Sequence, residues 1–370
     1  MAESRLMRRT RFVCISDTHN ATVKLPTGDV LIHAGDLTNT GSYSELSKQL
    51  AWLSKQDFEC KIVIAGNHDL TLDSEAYAEH GLYHHSTTPQ STDECQELIQ
   101  NTTGIIYLNH SSTTITLACP VGPRTTFTVF GSPCTPTMST TMGQWAFQYP
   151  ASDMNTAHAI WQSIPLDTDV LITHGPARTH RDEQFLREDG TGGGPAGCEA
   201  LRQAMWRVRP RLAVCGHIHE GRGAERVQWD LESPNVKFAE KTTPQTWDDP
   251  GAGNNKISLV DLSLKGGRPL NNDGSRAVVP DRHSSHHSSP QAVGDEVLVE
   301  EVAAKPGLGV EGFGGNASSP RSDQPALMGR LGRAETCIVN CAIMSGSYPH
   351  RGPRRLMKPV VVDLELPVHE

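Results

Sequence analysis

No run in this 370-residue chain approaches the roughly 20 consecutive apolar positions that a membrane-spanning helix needs. The arginine-bearing start, residues 1–11, has no apolar stretch of the kind a secretory signal carries. Positive charge is also in deficit: Lys+Arg 33 against Asp+Glu 42 leaves −9. No overall field draws in nucleic acid or an anionic membrane, so neither is an expected partner, and a phosphate-bearing ligand must be held by a local device. The nine cysteines are an odd set without one Cys-x-x-Cys pair, which argues against a disulfide framework. Cys14, Cys215, Cys337 and Cys341 sit in apolar runs and read as small buried hydrophobes of a reducing compartment, so the expected location is cytoplasmic. Gly190–Gly194 contains three consecutive glycines but is not followed by Lys-Ser/Thr, which excludes a P-loop and suggests a linker.

What is present is a set of short apolar runs alternating with amphipathic stretches, the pattern of an α/β fold with buried strands. Strands are expected at Arg11–Ile15, Val30–His33, Lys61–Ala65, Phe127–Phe130, Asp169–Thr173 and Leu212–Cys215. Ile105–Leu108 and Thr113–Leu117 read as a further strand pair. Helices fit Tyr43–Lys55, Glu94–Gln100, Thr156–Ser163 and Cys198–Val208, with Ser42 or Ser44 as a cap for the first. The composition then shifts. Residues 265–333 are rich in Gly, Ser, Pro, Asn and His and carry too little apolar area to offset ordering entropy, so a largely disordered insertion is expected. The closely spaced His283, His286 and His287 fall within it. Strand-like sequence returns at Thr336–Met344 and Val360–Leu366. The expected organisation is one domain over 11–264, the insertion over 265–333, and 334–368 completing the domain.

Five motifs each follow an expected strand: Asp17-Thr18-His19, Gly35-Asp36, Gly66-Asn67-His68-Asp69, His174-Gly175 and Gly216-His217-Ile218-His219. Singly most are weak, and Gly-Asp is nearly uninformative. Their shared position is not, because open α/β sheets bind ligands beyond the carboxyl ends of their strands. Together they offer carboxylates, an amide oxygen and imidazoles but no thiolate, a donor set suited to borderline or hard divalent ions. Asp17, His19, Asp36, Asn67, His174, His217 and His219 make seven donors, more than one ion with open positions takes. Two ions with a bridging carboxylate account for the count.

In order and spacing the motifs resemble the calcineurin-like metallophosphoesterase superfamily, and within it the metallophosphoesterase-domain-containing, cyclic-nucleotide-phosphodiesterase-like branch. Ala65 to Asp73, Phe130 to Pro136, Trp145-Ala146-Phe147, Ile172 to Pro176 and Cys215 to Gly221 carry the branch likeness. The resemblance implies a four-layer α/β/β/α sandwich of two mixed sheets and hydrolysis of phosphate esters, small phosphodiesters foremost, by a hydroxide shared between two divalent ions. Manganese is the expected metal, with iron, zinc and magnesium compatible. By motif position Asp17, His19, Asp36 and His219 would hold one ion, and Asp36, Asn67, His174 and His217 the other. His68 would be a catalytic histidine outside the ligand set, touching a phosphoryl oxygen or protonating the leaving alkoxide. Asp69 would orient that imidazole, or cap a helix instead. Arg178, His180, Arg181 and Asp182 read as a solvated loop in preference to a substrate mouth, and Trp145, Phe147 and Tyr149 as core packing in preference to a stacking platform.

Two rival readings fit the residues less well. A protein Ser/Thr phosphatase usually has Arg before Gly-Asn-His and Glu after it, where this chain has Ala65 and Asp69. A non-catalytic scaffold on the same fold would have shed ligand positions, and none is missing here.

Overall fold

The computed structural model describes residues 6–137, 145–186, 192–230, 238–266, 268–272, 333–345 and 355–369. Two mixed sheets dominate it. The first runs β15 (Ser258–Leu262), β17 (Val360–Pro367), β1 (Met7–Ile15), β2 (Val30–Ala34), β3 (Cys60–Ile64), β4 (Ile106–Tyr107). The second runs β14 (Gln245–Thr246), β13 (Gly223–Gln228), β16 (Glu335–Asn340), β12 (Leu212–Cys215), β9 (Val170–Thr173), β6 (Thr126–Ser132), β5 (Ser111–Thr116). Two small ribbons pair β7 (Thr135–Thr137) with β8 (Gln148–Pro150) and β10 (Glu183–Leu186) with β11 (Gly192–Pro195). The helices are α1 (Tyr43–Ser54), α2 (Ser74–His84), α3 (Thr92–Gln100), α4 (Met154–Gln162) and α5 (Glu199–Val208). None is long and apolar enough to cross a membrane.

Side-chain alternation along a strand sorts these elements into four layers. On β1, Phe12 and Cys14 point into a core shared with Phe127, Val129, Ile172, Val214 and Val339 of the second sheet. Val13 and Ile15, one residue out of phase, pack instead with Leu46, Leu50, Cys95 and Ile99 of α1 and α3. The outer face of the second sheet, through Leu171, Ala213 and Ile338, is covered by Ala157 and Trp161 of α4 and Leu201 and Met205 of α5. The architecture is therefore α/β/β/α.

β1, β2 and β3 are mutually parallel, as are β6, β9, β12 and β16. The two sheets are stitched at the end where the motifs lie: Ser16 N donates to Cys341 O (3.1 Å) and Ile343 N to Ser16 O (2.9 Å). Across β1 and β17, which run antiparallel, Arg11 lies opposite Asp363 and grips it with two bonds of 2.7 Å.

Some expectations need correction. Ile105–Leu108 and Thr113–Leu117 do not pair with each other. β4 joins β3 in the first sheet and β5 joins β6 in the second, the chain crossing between layers at His110 (φ 47°). Gly192–Gly194 is strand, paired with β10, and not a linker. Residues 180–182 are not a solvated loop: His180 and Asp182 are buried, and Arg181 is tied to Gly221 O and Arg222 O. α2, β13 and β15 were not anticipated. Of the 265–333 segment, residues 267 and 273–332 lie outside the described residues, His283, His286 and His287 among them. Its described edges meet at Asn272, whose side chain accepts from Ala334 N (2.9 Å) and Glu335 N (3.0 Å) and donates to Glu335 O (2.8 Å).

Candidate metal centre

Each of the seven donors stands just beyond a strand end: Asp17 and His19 after β1, Asp36 after β2, Asn67 after β3, His174 after β9, His217 and His219 after β12. The backbone there is shaped for the purpose. Asp17 (φ 55°), His19 (43°), Asp36 (54°) and His217 (65°) all adopt left-handed conformations, which cost a non-glycine residue on the order of 1–2 kcal/mol each. The compensation is a ladder between the first two loops, Asp17 N to Gly35 O (2.9 Å), His19 N to Asp36 O (3.1 Å) and Asn20 N to Leu37 O (3.0 Å). Asp17 also receives His217 N at 3.0 and 3.1 Å on its two oxygens, joining the two sheets through one carboxylate. Gly66 is required for close approach, since a Cβ there would fall on Asp36 N and Oδ1 and on the His174 ring.

Three donor groups result, each with its ligand atoms within 4.8 Å of one another: Asp17, His19 and His219; His19, Asp36 and His68; Asp36, His174 and His217. Asp36 is shared. Its Oδ2 lies 3.6 Å from His19 Nε2 and its Oδ1 3.3 Å from His174 Nε2, so one oxygen faces each lobe. Asn67 joins the second lobe, its Oδ1 at 3.0 Å from His174 Nε2. In the first, His219 Nε2 is 3.3 Å from Asp17 Oδ1.

The charge states of His19, His217 and Asp36 fit divalent ions, while His174 must release a proton to join them. Carbonyl oxygens only accept, so His19 Nδ1 donates to Thr38 O (3.2 Å) and His174 Nδ1 to Ala34 O (2.9 Å). Backbone bonds of this kind fix the tautomer of metal-binding histidines and leave Nε2 to the cation. Burial lowers His19 to about 4. Burial and the neighbouring His174 lower His217 to about 3, so both are neutral ligands near neutrality. Burial would raise Asp36, but the histidines around it hold it well below the usual carboxylate range. Burial pulls His174 down, and Asp36 with Asp17 more than reverses this, to about 9. Lone pairs on neutral His19 Nε2 and on the Asp36 carboxylate face each other across 3.6 Å, an arrangement that a cation between them stabilises.

His68 stands on the His19 side. Its backbone N–H donates to Asp36 Oδ1 (2.8 Å) and its Nδ1 to Asn39 O (2.8 Å). Asp69 does not orient this ring, nor does its side chain cap the short 3-10 turn that follows. It is fully buried, accepting from Gly66 N (2.8 Å), Leu37 N (3.2 Å), Thr38 N (3.0 Å) and Thr38 Oγ1 (2.7 Å). The expected catalytic partner is instead a brace between the loops bearing Asp36 and Asn67. Asn340, which sequence reasoning passed over, braces the last motif: its Nδ2 donates to Ile218 O (2.8 Å) and Arg181 O (3.0 Å). An amide ending the apolar run Cys337–Val339 was the available signal.

A family model described as calcineurin-like phosphoesterase matches residues 10–221, which include all seven donors. The chain is 44% identical over 223 residues to a probable rhamnogalacturonate lyase C of Emericella nidulans, covering 60% of this chain and 18% of that protein. It is 39% identical over 221 residues to human metallophosphoesterase domain-containing protein 1, covering 58% and 62%. A UPF0046 protein of Caenorhabditis elegans is 33% identical over 215 residues, covering 58% and 64%. The chain thus matches less than two thirds of the length of each of these relatives. With more than half of its residues inside the family match, and the strand-end donors within it, the chain belongs to the calcineurin-like phosphoesterase family.

Proposed function

We propose that this chain is a dimetal phosphoesterase acting on small phosphodiesters, with manganese as the working ion. The observation that carries this reading is the division of Asp36 between two donor groups, one oxygen toward each. Asp17, His19, Asp36 and His219 would hold one ion, and Asp36, Asn67, His174 and His217 the other. Bound there, the ions would supply Lewis acidity, making water nucleophilic near neutral pH and neutralising phosphoryl oxygens.

The chain's own part follows from its geometry. Asp17, Asp36, Asn67 and His174 are buried, so their charges and dipoles are fixed before substrate arrives and need no reorganisation. Asn67 contributes an uncharged oxygen, which limits the negative charge facing an anionic ester. His68, its Nδ1 held by Asn39 O, presents its other ring nitrogen to the ester, to bind a phosphoryl oxygen or hand a proton to the departing alkoxide. The partner is then a small phosphate ester, and a protein of charge −9 binds it through this local centre alone.

The test is to load the full chain with Mn2+, measure bound metal, and compare bis(p-nitrophenyl) phosphate, p-nitrophenyl phosphate and cyclic nucleotides. Diester turnover above monoester turnover, abolished together with metal by Asp36→Asn, is expected. A fully loaded pair of ions without turnover on any ester would favour a scaffold.

A further inference from the structure

Trp145 lies on the imidazole of His68. The ring centroids are 3.8 Å apart and the planes inclined by 38°, and a second imidazole, His84, lies 4.5 Å from the indole. The backbone places it there. Ala146 N donates to Asn67 O (3.0 Å), Phe147 N to Asp73 Oδ2 (2.7 Å), and Phe147 O accepts from Thr135 N (3.0 Å). Residues 146–147 are thereby fastened to the stretch containing Asn67 and His68, and the residue before Ala146 falls on the residue after Asn67.

The neighbours of Trp145 divide the labour. Among the described residues Ala146 is buried and Phe147 packs against the apolar core beside α1 and α3, so the fold is served without the indole. Its ring partners are two imidazoles, which makes it a wall for His68 in preference to a platform for a substrate ring. His68 needs such a wall. Its bond to Asn39 O fixes one ring atom but leaves the plane free to swing about that contact. His19, edge-on at 4.7 Å and 90°, and the indole face together remove the swing.

We propose that Trp145 is a positioning residue that holds His68 in the orientation in which its free nitrogen meets the ester, and so adds to rate through His68 alone. The proposal rests on the phosphoesterase reading of the site.

A double-mutant cycle on the full Mn2+-loaded chain tests it, using Trp145→Leu, Trp145→Phe, His68→Ala and His68→Ala/Trp145→Leu. With bis(p-nitrophenyl) phosphate, Trp145→Leu should lower kcat about 10- to 100-fold, the scale on which misplacing a catalytic group acts. KM and bound metal should stay unchanged, and Trp145→Phe should recover most of the rate. In the His68→Ala background, Trp145→Leu should change kcat by less than about twofold, as required of residues acting as a unit. An independent readout needs no metal or turnover: the His68 Cε1–H NMR resonance, identified by its loss in His68→Ala, should move when the indole ring current is removed. If Trp145→Leu does not fold, Trp145→Phe runs the same cycle with a smaller first step. Unchanged kcat, a rise confined to KM, or an equal loss with and without His68 would each overturn the proposal. Absence of turnover in the wild type would sink the phosphoesterase reading instead, and an unmoved resonance would still sink the contact.

Discussion

A carboxylate with four donors around it has nothing left to give a neighbouring imidazole, and Asp69 is in that state. Removing it strands three backbone N–H groups in the interior, each at about 1–3 kcal/mol. Asp69→Ala should therefore lower unfolding free energy by about 3 kcal/mol or more in urea titrations of the metal-free protein, and loosen metal binding. An unchanged midpoint would show that the brace is dispensable. His68→Ala should behave oppositely, keeping metal while losing about 10²- to 10⁴-fold in rate, the range for a general acid. His174→Ala should lose metal and rate together. That these donors would cluster was legible because few side chains suit hard cations and all follow strand ends. The brace at Asp69 and the contact of Trp145 with His68 were not, since both join segments far apart in sequence, which spacing does not encode.

Stretches buried on both faces announce themselves as largely apolar runs, which is why Phe12–Ile15 of β1 and β2, β3, β9 and β12 were foreseeable. α2 was not, because Gly81 is its one buried residue and no apolar stripe marks it. Of the two caps the sequence offered, Ser42 and not Ser44 is used, in a complete capping box with Glu45. β13 carries a device that no pattern reveals: its Glu225 holds His180 Nδ1 at 2.6 Å while Glu240 takes Nε2 at 3.1 Å. Burial lowers His180, but the bonds to Glu225 and Glu240 prevail and raise it to about 9. Raised above its unfolded value near 6.5, the group stabilises the fold fully below that pH, and the contribution fades as pH climbs through about 9. Stability should fall by on the order of 3 kcal/mol across this window. His180→Gln should flatten the decline in denaturation curves recorded from pH 6 to 10. A slope identical to wild type would discount the clamp.

At the scale of the whole molecule, we propose that 11–264 and 334–368 form one domain to which 265–333 is appended. Asn272 binds the backbone of Ala334 and Glu335, so the chain leaves and re-enters at one point. Closing that gap with a short loop costs little, because loop entropy grows only slowly with length. Excising 273–332 and joining Asn272 to Arg333 through a few glycines should leave the thermal midpoint within a few degrees and the metal content intact. Loss of folding would mean that the excised residues belong to the domain. The α/β class was legible from the apolar runs, and the sandwich only through the family resemblance that the five motifs carry. The partition of β4 and β5 between sheets was not, because periodicity reports burial and not partnership.

β1 finds its antiparallel neighbour in β17, with Met7 opposite Pro367 and Cys14 opposite Val360. A ribosome emitting this chain leaves one rim of β1 unpaired after making it and supplies its mate hundreds of codons later. The sheet bearing Asp17 and Asp36 therefore completes only after synthesis has passed Pro367. In the interval a nascent chain stalled upstream should require chaperone cover.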